Sequence, residues 1–141
     1  MNTLILVRGL PGSGKSTAAE ILADTGIADC FGEPTIKNPI CTTDDYFMVG
    51  DKYVFDVDKL AKAHEWCMKK CEDAMDDFED KIFVANTNAT EAELEPYYEM
   101  AKRHNYRVIS LIVENRHGGE TIHDIPEDRM QLIKDGFTIK L

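Results

Sequence analysis

The sequence predicts an α/β fold: a central, mostly parallel sheet of four or five strands between layers of helices. Three observations carry that expectation. Short apolar runs alternate with amphipathic segments along the chain, in the order of repeated β-α units. The runs are apolar at consecutive positions, as strands covered on both faces are. The first run leads into Gly9-Leu10-Pro11-Gly12-Ser13-Gly14-Lys15-Ser16-Thr17 and then a helical segment. That is the G-x-x-x-x-G-K-S spacing of a phosphate-binding loop, in its strand–loop–helix setting.

Residues 3–8, with Leu4-Ile5-Leu6-Val7 at their centre, form the first strand. A helix follows from about Ser16 to Asp24, and Gly26 can end it. Gly32, Pro34 and Pro39 make 27–39 an irregular connection. Ile40-Cys41-Thr42-Thr43 reads as the second strand and runs directly into Asp44-Asp45-Tyr46. Residues 47–55 flank a Gly50-Asp51 turn, as in a small hairpin. Asp56 offers a cap, and Leu60, Ala63, Cys67, Cys71, Ala74 or Met75, and Phe78 recur at helical spacing through 57–78. Lys81-Ile82-Phe83-Val84-Ala85 is the third strand. Thr90 and Glu93 form a capping box, although Pro96 predicts a kink or a helix start closer to itself. That helix ends near His104; residues 106–113 give a fourth strand and 114–120 a polar loop. Pro126 suits the first turn of a last helix reaching about Asp135, and the alternating residues 137–141 predict a fifth, edge strand.

The chain of 141 residues is read as one domain, 1–141, with a lid loop at about 114–125. Its net charge of −10 argues against a broad nucleic-acid-binding face and leaves room only for local contact, at an end or a few nucleotides. The apolar N-terminal run of four residues is too short for a signal peptide, and no run approaches a membrane span. A cytoplasmic setting is therefore expected, with Cys30, Cys41, Cys67 and Cys71 reduced. Cys67 and Cys71 fit a buried helix face better than zinc, for want of a fourth ligand.

Ligands of parallel sheets bind beyond the carboxyl ends of the strands. Four groups leave those ends here: the Gly-rich loop; Asp44 and Asp45; Asn86, Thr87 and Asn88; Arg116 with His117. All are expected to meet in one crevice. Gly9, Pro11, Gly12, Ser13, Gly14, Lys15, Ser16 and Thr17 would enclose the phosphates of ATP, with Lys15 on the outer ones and the Ser16 hydroxyl on Mg²⁺. Asp44 can hold the metal or take a proton from an attacking hydroxyl; either neighbouring carboxylate could instead be a cap. Arg116 is a candidate for stabilising the transferring phosphoryl group, or else a surface arginine; His117 and His123 receive no role from spacing. Asp45, Asn86, Thr87 and Asn88 can orient an acceptor, or form a turn that caps the next helix. The third strand ends on Asn86, not on a carboxylate, which argues against a motor ATPase or a switch GTPase and suits a small kinase.

RGLPGSGKST at 8–17, TTDDYF at 42–47, VFD at 54–56, HEW at 64–66, ANTNAT at 85–90 and PYYEMAKRHNYRV at 96–108 resemble the AAA-type P-loop kinase-like family. That family includes the kinase domain of bacteriophage polynucleotide 5′-hydroxyl kinase, and VENRHGG with HDIPEDRM is similar to the lid and final helix of phage members. The resemblance implies a three-layer, nucleoside-kinase-like P-loop NTPase fold, and host cytoplasm if phage-encoded. It implies nucleotide and Mg²⁺ positions at Lys15, Ser16 and Thr17, an acceptor-activating Asp44 and a lid Arg116. Two departures weaken a nucleic-acid acceptor. Asp45, Tyr46 and Phe47 stand where the phage enzyme has an arginine, and Asn86 where it has an aspartate. The expected activity is transfer of the γ-phosphate of ATP to a hydroxyl, at a polynucleotide 5′ end or a nucleoside-like acceptor. A small-metabolite kinase and a non-catalytic ATP-binding module are the alternatives, and oligomeric state is not legible.

Overall fold

Leu4, Ile5, Leu6 and Val7 are all buried, so the first strand is covered on both faces. The computed structural model describes residues 1–28, 30–32, 36–118 and 125–141. Along the chain come β1 (Thr3–Arg8), α1 (Lys15–Ala23), β2 (Ile40–Cys41), β3 (Met48–Val49), β4 (Lys52–Tyr53), α2 (Leu60–Asp76), β5 (Lys81–Ala85), α3 (Glu91–Arg103), β6 (Arg107–Ile112) and α4 (Glu127–Gly136). β2, β5, β1 and β6 lie side by side in that order, every pair parallel. β3 and β4 form a separate hairpin around Gly50 and Asp51. The three-layer, parallel-sheet fold expected from the sequence is the fold observed.

The two-residue period of a strand sorts the core into two layers. Leu4 and Leu6 of β1 join Ile82 and Val84 of β5 beneath α2 and α3, packed with Cys67, Cys71, Met75, Leu94, Tyr97 and Met100. The intervening Ile5, Val7, Phe83 and Ala85 face α1, which meets them with Ala19 and Ala23. Cys67 and Cys71 thus lie on the buried face of α2, beside Cys41 of β2. No described helix is long and apolar enough to cross a membrane.

Three local expectations need correction. The second strand stops at Cys41; two residues on, Thr43 N donates to the Asn86 side chain at 2.9 Å and not to a strand. Thr42 then caps a 3₁₀ turn, Thr43–Phe47, that carries both aspartates. α3 begins at Glu91 and runs through Pro96, because the capping box sets the start. Thr90 Oγ accepts from Glu93 N at 3.3 Å, and Glu93 Oε2 accepts from Ala89 N at 2.9 Å. Residues 137–141 are not a fifth strand. Thr138 N donates to Ala89 O at 2.7 Å and Thr138 O accepts from Arg8 Nη2 at 2.7 Å, so the segment docks on the turn after β5. Of the expected lid, 119–124 lie outside the described residues, and His123 with them.

Candidate active site

The turn between β1 and α1 is built on left-handed glycines. Gly12 has φ 81 and Gly14, the N-cap of α1, has φ 93. Such a turn points successive amides inward at an anion, and the start of α1 adds its dipole. At Gly9 the need is space: a Cβ there would lie 2.3 Å from Ser13 Oγ and 2.9 Å from the Val113 carbonyl. Ser13 is buried, and its Oγ has no partner among the described residues. A concave run of amides at the start of a helix fits a phosphate group. Lys15 Nζ reaches back toward Leu10 O at 3.4 Å. Burial pulls its pKa below the usual lysine value, and the charge of Asp44 partly offsets that.

Asp44 therefore lies within electrostatic reach of the loop lysine. It also lines, with Ser16, Glu20, Thr42, Asp45 and Ala85, a cavity of about 270 Å³ at the carboxyl end of the sheet. Tyr53 of the hairpin interacts with the Asp44 side chain; burial, then the Asp44 charge, pushes the phenol up to about 12. The Tyr53 ring is held in turn by Phe47 at 6.1 Å and by Phe55, stacked at 6.4 Å. The hairpin thus braces the carboxylate. Asp45, on the same cavity, also pairs with Lys70 at 3.7 Å. Among the described residues no three His, Cys, Asp or Glu side chains converge on a metal position. Ser16 and Asp44 facing one cavity suit Mg²⁺, which takes one or two protein ligands and completes its shell with phosphate oxygens and water.

Asn86 is buried and works as a brace. Its Oδ1 accepts from Thr43 N at 2.9 Å and Thr43 Oγ1 at 3.2 Å, while its Nδ2 donates to Cys67 Sγ at 3.5 Å. An aspartate here would offer no donor to that sulfur. Thr87 is half-buried beside it. Asn88 is buried at φ 42 and lines a second cavity, between α2 and α3. Arg116 does not face the loop: its side chain is 84% exposed, with Nε on Glu114 Oε2 at 2.6 Å.

Two residues at the site receive no role from the sequence, although strand order places His117 at the crevice. His117 Nε2 donates to Ser13 O at 3.1 Å, and a Cβ on Gly14 would lie 2.8 Å from that nitrogen. The imidazole thus packs directly against the loop. Arg8, only 4% exposed, ends β1. Its Nε donates to Asn88 O at 2.8 Å, its Nη1 to Ser110 Oγ at 3.1 Å and its Nη2 to Thr138 O, with the Phe137 ring 5.0 Å below. Among the described residues this buried cation is met by carbonyls, a hydroxyl and a ring, with no carboxylate. A charged residue closing an otherwise apolar strand was the one available hint.

Residues 4–117 match the family described as an AAA domain. The chain belongs to that family. Human NEDD4-binding protein 2 is 38% identical over 106 residues, 75% of this chain but 6% of that protein. Among solved structures, a putative kinase from Chloroflexus aurantiacus superposes with a TM-score of 0.60 at 17% identity, covering 79% of this chain and 59% of that one. The APS kinase of Mycobacterium tuberculosis gives 0.54 at 13% identity over 96% of both chains. A chain of the Pnkp1/Rnl/Hen1 RNA repair complex gives 0.53 at 17% identity, over 95% of this chain and 37% of that one. This AAA-family chain has the kinase-like P-loop fold, and it spans a small fraction of its human relative.

Proposed function

We propose that the protein is a kinase that moves the γ-phosphoryl group of ATP to a hydroxyl, at a polynucleotide 5′ end or a nucleoside-like acceptor. The observation that carries this is the position of Asp44, which shares a cavity with Ser16 and lies near Lys15. The loop amides and Lys15 bind the polyphosphate. Ser16, with Asp44 acting through water, would hold Mg²⁺, which would supply positive charge against the polyphosphate. The acceptor oxygen bonds the γ-phosphorus as the bond to the bridging oxygen breaks. Its proton passes to Asp44, and ADP leaves with the electron pair. Positioning and electrostatics supply most of the rate. Arg116 would have to leave Glu114 and swing inward to take part, as a residue of a closing lid does.

The test is labelled ATP and Mg²⁺ with parallel pools of 5′-hydroxyl RNA, 5′-hydroxyl DNA and small molecules. Asp44→Asn is expected to lower kcat by roughly 10²–10⁴-fold with ATP affinity nearly intact. An equal fall in ATP affinity would assign Asp44 to the metal alone. The net charge of −10, and Asp45, Tyr46 and Phe47 in place of an acceptor-binding arginine, favour a second reading: a small-metabolite kinase. Labelling of a sugar or nucleotide, with oligonucleotides ignored, would establish it. Tight ATP binding with no transfer to any pool would leave a nucleotide-binding module.

A further inference from the structure

Beside Asp45, the wall of the Asp44 cavity continues onto an ammonium and an exposed ring. Lys70 Nζ of α2 donates to Ile40 O at 3.0 Å and lies 3.7 Å from Asp45 Oδ2. Ile40 and Asp45 both line the cavity that holds Asp44. The ammonium therefore stands at the edge of that cavity. It is open to solvent: the Lys70 side chain is 41% exposed and that of Asp45 51%. One turn earlier on α2 is Trp66, 38% exposed, with Lys70 Nζ 5.5 Å from the centre of its ring. Tyr46, two residues past Asp44, completes the patch at 5.9 Å from the indole.

The patch is firmly backed on one side and loosely held on the other. The Tyr46 ring stands edge-on to the buried Phe47 at 5.5 Å, and Phe47 packs on Phe55 at 5.1 Å. The hairpin's aromatic cluster thus supports Tyr46, which supports the indole. Lys70 is held weakly by contrast, because an ion pair between exposed groups is worth little. A flat base that takes the ammonium's place on the indole exchanges a cation–π contact for a stacked one. The released ammonium, on its flexible stem beside Asp45, can then meet a phosphate. Exposed rings next to a cation are how single strands are gripped. Lys69 is taken by Asp73, so the patch offers one ammonium and not a basic stripe. That suits a chain of net charge −10, which can hold an end but not a long strand.

We propose that Trp66 and Lys70 seat the first nucleotide of a single-stranded acceptor, its base stacked on the indole and its 3′-phosphate on the ammonium. The proposal rests on the reading of the protein as a kinase for a 5′-hydroxyl end. Continuity supports it. The 3₁₀ turn Thr43–Phe47 carries Asp44, Asp45 and Tyr46 and no cation of its own, and α2 supplies one against it. A nucleotide held on this patch can direct its 5′-hydroxyl toward Asp44. Stacking accepts every base, so the site distinguishes a phosphate-bearing strand from a free nucleoside and does not read sequence.

Trp66 is the single tryptophan of the chain, so its fluorescence reports on this patch. ATP-free protein is titrated with a 5′-hydroxyl hexanucleotide, with the same strand lacking its first base, with uridine and with ribose. The intact strand is expected to quench Trp66, and the abasic strand and ribose are not. Uridine should need at least a tenfold higher concentration. A 3′-fluorescein strand gives the Kd of the variants by anisotropy. Trp66→Leu should raise it about 10- to 100-fold, and Trp66→Phe, which keeps a ring, by less. Lys70→Met should reduce the slope of log Kd against log salt by about 0.7, the share of one phosphate, and Lys70→Arg should restore it. An unmoved Trp66 signal, an equal quench by the abasic strand, or parental affinity in Trp66→Leu would overturn the platform. Transfer to 5′-hydroxyl ends with Trp66 unmoved would sink the platform and leave the kinase standing. Quenching without transfer would do the reverse.

Discussion

The two faces of the sheet are built on different scales. On one, α2 and α3 bury large side chains, Leu94, Tyr97, Met75 and Met100, against Leu4, Leu6, Ile82 and Val84. On the other, α1 presents Ala19 and Ala23 and leaves Ile21 and Leu22 exposed to solvent. The thin face brings the helix that begins at Lys15 close against the sheet. The thick face carries the hairpin, Asn86 and the second cavity. The larger buried side chains thus lie on the α2–α3 side, while the phosphate side is held by backbone geometry, with a half-buried ammonium whose desolvation works against folding.

Three measurements would break or sharpen that contrast. The largest effect is expected from Lys15→Met, which should abolish phosphoryl transfer while raising Tm, since it removes a desolvated charge. The lysine pKa is lowered in the folded protein, so its contribution to stability rises with pH from the folded value up to the unfolded 10.5. That alkaline gain should vanish in the variant; a lower Tm would mean the ammonium helps hold the loop. Next comes a pair of core truncations. Leu94→Ala should cost about 2–5 kcal/mol in chemical denaturation. Ala19→Gly on the other face should cost only about 1 kcal/mol, mostly helix propensity; equal costs would erase the distinction between the faces. The smallest effect belongs to Tyr53→Phe. The folded phenol ionises near 12 and the unfolded one near 10.0, so stability falls as pH rises between those values. A pH series of Tm should show that fall in the parent and lose it in the variant, and kcat should drop a few-fold as Asp44 loses its brace.

What could be read from residue order was what short-range physics decides. The apolar runs of β1 and β5, the glycine spacing of the loop, the hairpin at Gly50 and the capping box at Thr90 each depend on neighbours within a few positions. What escaped depends on residues far apart in the chain. His117 meets a carbonyl at Ser13, and Arg8 meets Thr138 near the other end. β2 is short because a side chain from the turn after β5 takes the Thr43 amide, two residues past its end. Alternation over 137–141 suggested a strand, but a buried guanidinium had already taken the Thr138 carbonyl. Asn88 Nδ2, buried without a partner among the described residues, is likewise invisible in sequence, because only packing shows which hydrogen bond is missing.

Arg8 ties the far end of the chain to the strand that carries the Gly-rich loop. Anyone handling the protein inherits that linkage. A carboxypeptidase that trims back past Thr138 would strip the guanidinium of a carbonyl and of its aromatic floor at Phe137. The damage would surface at the opposite pole of the sequence, so affinity handles belong ahead of Met1 and intact mass should be checked before any assay of nucleotide affinity.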